Sequence, residues 1–134
     1  MFHDLLDDAA GVFATWFNES ATCLLVCGTD GEIFAVNQSF ETWCGYTSHE
    51  LSRMGMASLS ARDNDFMAES EVVQDCIHGR RTQYVVRKEL VPKASRPQAG
   101  EFSAVRYPTD GPMKWFLCSW TPFRSDTSAA LTLA

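Results

Sequence analysis

The sequence predicts an α+β domain built on one antiparallel sheet, and three observations carry that expectation. A helical stripe occupies the first twenty residues, an Asp-Gly turn joins two short apolar runs, and the last third is rich in β-branched and aromatic residues. Strands and helices come in separate runs rather than in strict alternation, which argues for an antiparallel sheet. A chain of 134 residues is long enough for one domain with a hydrophobic core of its own.

Residues 2–17 place Phe2, Leu5, Leu6, Ala9, Phe13, Trp16 and Phe17 on one helical stripe. Asp4, Asp7 and Asp8 lie off the stripe, near the N-terminus where the helix dipole favours negative charge. Residues 21–27 and Ile33 to Val36 are apolar runs, and Thr29-Asp30-Gly31 between them reads as a hairpin turn. Asn37 stands where a helix N-cap belongs; Phe40, Trp43 and Cys44 follow at helical spacing, and Gly45 ends the helix. Thr47-Ser48-His49-Glu50 fits a capping box for a second short helix that runs out near Gly55, with His49 solvated on its first turn. After the loop "MASLSARDN", Phe66, Ser70, Val73 and Ile77 mark a third helix stopped by Gly79. Residues 81–91, 101–107 and 113–123 then read as three long strands of a meander, separated by a loop holding Pro92, Pro97 and Gly100 and by the tight "PTDGP".

Composition narrows the function. The five cysteines (Cys23, Cys27, Cys44, Cys76, Cys118) are an odd number among apolar neighbours, so they read as small buried hydrophobes rather than a disulfide framework or a zinc site. Net charge is −6, split into −11 over residues 1–75 and +5 over residues 76–134. The overall acidity argues against direct nucleic-acid binding. The asymmetry fits two solvated faces, or else complementarity between copies or with an acidic partner. No apolar run is long enough to cross a bilayer, and the acidic start lacks the basic segment of a secretory signal, so the expected location is the cytoplasm, without membrane contact. The initial Met and the lack of a long charged exit helix suggest a free-standing protein.

The stretch "DGEIFAVNQSFETWCGYTSHEL" combines an Asp-Gly hairpin, a strand ending in Val-Asn, a short helix, Gly-Tyr and a Thr-x-x-Glu-Leu cap. That combination resembles the PAS domain family, and the likeness continues in layout through Gly79-Arg80 to the meander ending "WTPF". It implies a five-stranded antiparallel sheet with short helices on one face. Residues 1–19 correspond to an N-terminal amphipathic cap helix, 20–124 to the PAS domain and 125–134 to a C-terminal tail. By the same resemblance the chain is a sensory or regulatory module in signal transduction. It would act through dimerisation or protein contacts with an effector in another chain or a missing C-terminal segment. The implied homodimer would use Phe2, Leu5, Leu6, Phe13, Trp16 and Phe17.

PAS domains differ in cofactor, and the cofactor here is unknown. Flavin photosensors of the family carry an Asn-Cys-Arg-Phe-Leu-Gln run; it is absent, and Cys76 in "QDCIHGR" has other neighbours, which argues against flavin photochemistry. Haem-binding members place a His about three helical turns before the closing glycine. Counting back from Gly79 reaches Glu69, and His78 reads instead as a cation at a helix C-terminus, which argues against haem. Arg80, Arg81, Arg87 and Lys88 sit where solvent exposure is the default. The alternative function is a ligand- or haem-loaded small-molecule sensor with an apolar pocket lined by Phe40, Trp43, Phe66, Met67, Val73, Tyr84, Trp115 and Leu117, residues whose commoner role is ordinary core. No nucleophile–base pair, paired carboxylates, phosphate loop or metal cluster is evident, so the sequence names no catalytic or metal residue and the expectation is a protein that is not an enzyme.

Overall fold

The computed structural model describes residues 7–124. In chain order the elements are α1 (Ala9–Glu19), β1 (Cys23–Cys27), β2 (Ile33–Val36), α2 (Gln38–Cys44), α3 (Ser48–Leu59), α4 (Phe66–Ile77), β3 (Gln83–Leu90), β4 (Gln98–Tyr107) and β5 (Trp115–Pro122). The strands form one antiparallel sheet in the order β2-β1-β5-β4-β3. Strands β2 and β3 are its two edges, so the chain between them must cross the full width of the sheet. The helices α2, α3 and α4 make that crossing and cover one face.

Local chemistry sets most boundaries. The Asn37 side-chain oxygen accepts the Phe40 N–H at 3.0 Å and, from the neighbouring strand, the Leu24 N–H at 3.0 Å. Its amide donates to the Phe17 carbonyl at 2.9 Å and the Thr22 carbonyl at 2.8 Å. This one fully buried side chain therefore ties α1, β1 and α2 together. Gly45 ends α2 with φ 78°, and Thr47 and Glu50 form the complete capping box of α3.

Two boundaries differ from the sequence reading. Helix α3 does not stop near Gly55: it breaks there (φ 74°) and resumes to Leu59. The break frees the Met56 N–H to donate to the hairpin carbonyl of Gly31 at 2.8 Å, which pins the second half of α3 to the β1–β2 turn. Gly100 lies inside β4 rather than in a loop, and a Cβ added there would come within 2.6 Å of the Trp120 ring.

The core fills the space between helices and sheet. Phe40, Leu25, Leu51, Leu59, Leu90 and Trp120 are all nearly or fully buried. All five cysteines are free and buried, as small hydrophobes would be. Among the described residues no helix covers the opposite face of the sheet, which presents Phe34, Val85, Val105, Tyr107, Trp115 and Leu117. In α1 the stripe divides: Phe17 is buried on the domain, while Val12, Phe13 and Trp16 remain exposed. Phe17 is therefore core rather than part of a free surface. Phe2, Leu5, Leu6 and the tail 125–134 lie outside the described residues.

Candidate functional site

Helix α4 begins on an Asp65 cap, whose carboxylate accepts the Ala68 N–H at 3.0 Å. The sheet-facing row is Glu69, Val72, Val73 and Cys76, a three- and four-residue spacing. This row is rotated from the expected one. Phe66 is 46% exposed and Met67 77% exposed, so neither packs as core. The rotation has a polar cause: Glu69 meets Lys88 on the sheet below.

Lys88 was expected in solvent, and the structure corrects that reading. Strand β3 alternates, so once Tyr84 points to the helical face Lys88 does too. Its ammonium lies 2.9 Å and 3.2 Å from the two Glu69 carboxylate oxygens and 4.2 Å over the Phe102 ring. The Lys88 side chain is 5% exposed and that of Glu69 17%. The Tyr84 hydroxyl adds a long donation to Glu69 Oε2, at 3.4 Å. A charge buried this far requires such a partner.

Around this pair lies a cavity of about 360 Å³, between α4, the β1–β2 turn, the second half of α3 and the sheet. Its apolar walls include Met56, Phe66, Val73, Phe102 and Phe116; its floor holds Tyr84, Cys27 and Cys118. Burial, then the nearby Glu69, pushes the Tyr84 hydroxyl upward. A hydrogen bond with Cys27, followed by burial, raises the Cys118 thiol. Both groups are held protonated, so the floor presents donors and sulfur rather than anions. Cavities that hold small molecules are typically about 300–1,000 Å³, apolar, with few polar groups.

Of the expected pocket residues, Phe66, Val73 and Tyr84 line this cavity. Phe40 is sealed in the core, and Trp43 packs on Trp120 with ring centroids 5.4 Å apart; neither reaches the cavity. Met67 points outward. Trp115 and Leu117 lie on the uncovered face, because Phe116 and Cys118 take the inward positions of β5. Sequence reasoning missed Glu69, Lys88, Cys27, Cys118, Phe102 and Phe116. Strand alternation from Tyr84 would have found Lys88, and a buried lysine would have called for Glu69. Cys76 is fully buried and pushed upward by burial, and His78 sits with Gly79 and Arg106 at a separate depression. Among the described residues no group of three His, Cys, Asp or Glu could hold a metal ion, and no helix is long and apolar enough to cross a membrane.

No family model matches the sequence, and no curated protein matches it. Solved structures do. A PAS domain of a protein from Colwellia psychrerythraea is similar at TM-score 0.75 and 18% identity, covering 87% of this chain and 98% of that one. A domain of a sensory box sensor histidine kinase/response regulator from Geobacter sulfurreducens is similar at TM-score 0.70 and 16% identity, over 86% and 95%. The PAS domain of an HTR-like protein from Haloarcula marismortui gives TM-score 0.66 and 20% identity, over 90% and 97%. The strand order, the helical crossing between the two edge strands and this near-complete structural overlap show that the chain has the PAS fold.

Proposed function

We propose that this chain is a sensory module of signal transduction that holds a small, mainly apolar ligand under α4 and signals through protein contacts. The observation that carries the reading is the 360 Å³ apolar cavity built around one buried ion pair. Its likeness to a domain of a sensor histidine kinase/response regulator supports a sensory role. The module works by binding rather than by catalysis, with its effector in another chain or another segment.

The proposed assembly is a homodimer. Val12, Phe13 and Trp16 expose an apolar strip on α1, and the uncovered sheet face adds Tyr107, Trp115 and Leu117. Large exposed apolar surface of this kind marks interaction sites. Native mass spectrometry of the full chain tests both parts. The expected result is a two-chain mass carrying a bound small molecule, or accepting one, and a shift to single chains in the Phe13→Glu/Trp16→Glu variant. A wild-type monomer at every concentration overturns the dimer. Failure to take up any small molecule overturns the sensor.

A further inference from the structure

We propose that the cavity under α4 selects a flat, apolar ligand that donates one N–H to the Glu69 carboxylate: a nitrogen heterocycle or aromatic amine rather than a carboxylic acid. The proposal rests on the ligand-binding reading above and names the ligand's chemical class.

The argument is a count of donors and acceptors at the buried pair. Lys88 has three N–H donors. It lies within hydrogen-bond reach of both Glu69 oxygens and stands over the Phe102 ring face, so its protons are employed and its side chain is nearly closed to solvent. An incoming carboxylate could reach that ammonium only by displacing Glu69. Glu69 differs. Its Oε2 accepts from Lys88 and from the Tyr84 hydroxyl, while its Oε1 accepts from Lys88. Each carboxylate oxygen offers about two lone-pair sites. Oε1 thus keeps acceptor capacity on a residue that lines the cavity.

Charge and shape point the same way. The Lys88 ammonium in the lining is already neutralised by Glu69, and the exposed Asp30 at the rim adds a second carboxylate, so an anionic ligand finds no free positive charge there. Phe66, Phe102 and Phe116 supply aromatic surface for a planar body. The volume lies near the lower end of the usual range for ligand sites, about 300–1,000 Å³, which favours a ligand of one or two rings.

Indole, benzofuran and benzoate are the probes, titrated into the full-length protein and followed by calorimetry and by NMR shifts of cavity residues. Indole and benzofuran share size and shape; benzofuran lacks the N–H. Indole is expected to bind about tenfold more tightly than benzofuran, the scale of one hydrogen bond to a charged acceptor, and benzoate more weakly than either. In the volume-conserving Glu69→Met/Lys88→Met variant the indole preference should vanish while both probes still bind. If benzofuran or benzoate matches indole on the wild-type protein, the ligand class is wrong and the cavity reading stands. If none of the three binds below about 1 mM, the cavity reading falls as well. A folded double variant that keeps the indole preference also overturns the role of Glu69. The wild-type comparison of probes decides the question even if that variant does not fold.

Discussion

Over β1 and β2, the helices α2 and α3 bury Phe40, Cys44 and Leu51 to 1% exposure or less. Toward β3 and β4, α4 buries Cys76 fully but leaves Phe66 and Met67 exposed, and between it, the β1–β2 turn and the second half of α3 an open cavity takes the place of a packed layer. The sheet is continuous beneath both. The difference lies in what joins helix to strand: at the first end, apolar side chains and the Asn37 amide; at the second, a carboxylate and an ammonium. Close packing specifies one arrangement and resists change. An ion pair beside a cavity holds the helix at a point and leaves room beside it. One sheet can therefore combine a rigid end with an end whose helix has room beside it.

The sharpest way to break the rigid end is Asn37→Ala. The substitution strands two backbone N–H groups and the Phe17 carbonyl in buried surroundings, and takes the donor from the partly buried Thr22 carbonyl. At about 1–3 kcal/mol for each unsatisfied buried group, with some relaxation, the expected loss is about 4 kcal/mol. Urea unfolding measures it. A loss below about 1 kcal/mol would mean that water replaces the amide and that this end is not sealed.

At the cavity end Lys88→Met should cost less, about 3 kcal/mol, because it leaves Glu69 facing an apolar wall without its cation. The double variant Glu69→Met/Lys88→Met should recover most of that loss, since replacing both members of a buried pair is often close to neutral. Equal losses in the single and double variants, read by urea unfolding, would show that the pair contributes net stability rather than specificity of placement.

What the sequence made legible follows the same division. The hairpin, the Asn37 and Thr47 caps and the glycine ending α2 depend on residues within a few positions of each other, and each appears where its local chemistry puts it. The cavity depends on register. Trp115 and Leu117 were one position away from the inward-facing Phe116 and Cys118, and a shift of one residue moves a side chain to the other face of a sheet. The Glu69–Lys88 pair joins residues nineteen positions apart, and neither side chain alone signals burial. Phe17 is similarly indistinguishable from Phe13 until the chain around Asn37 closes on it.

The thiols offer a subtler test of the sealed end. Burial, then the neighbouring Cys44, lifts the Cys23 thiol from 9.0 to about 11. In the unfolded chain the thiol loses its proton near the ordinary value, whereas the folded chain keeps it longer. Between pH 9 and about 11 the folded state therefore binds more protons, and stability falls as pH rises. The contribution is fully present below pH 9 and is gone above about 11. Two units would correspond to about 2.7 kcal/mol for a thiol wholly shut off from water. Cys23 borders an open depression with Ser20, Ser39 and Trp43, so with solvent screening the drop in unfolding free energy between pH 8 and pH 11 should be about 1 kcal/mol smaller in Cys23→Ala than in the wild type. Cys44, Cys76 and Cys118 are raised as well, so the variant keeps a slope of the same sign. Urea unfolding under reducing conditions at the two pH values reads the difference. If Cys23→Ala leaves the drop unchanged, the thiol is reached by water in the folded protein, and the sealed end is as open as the cavity end.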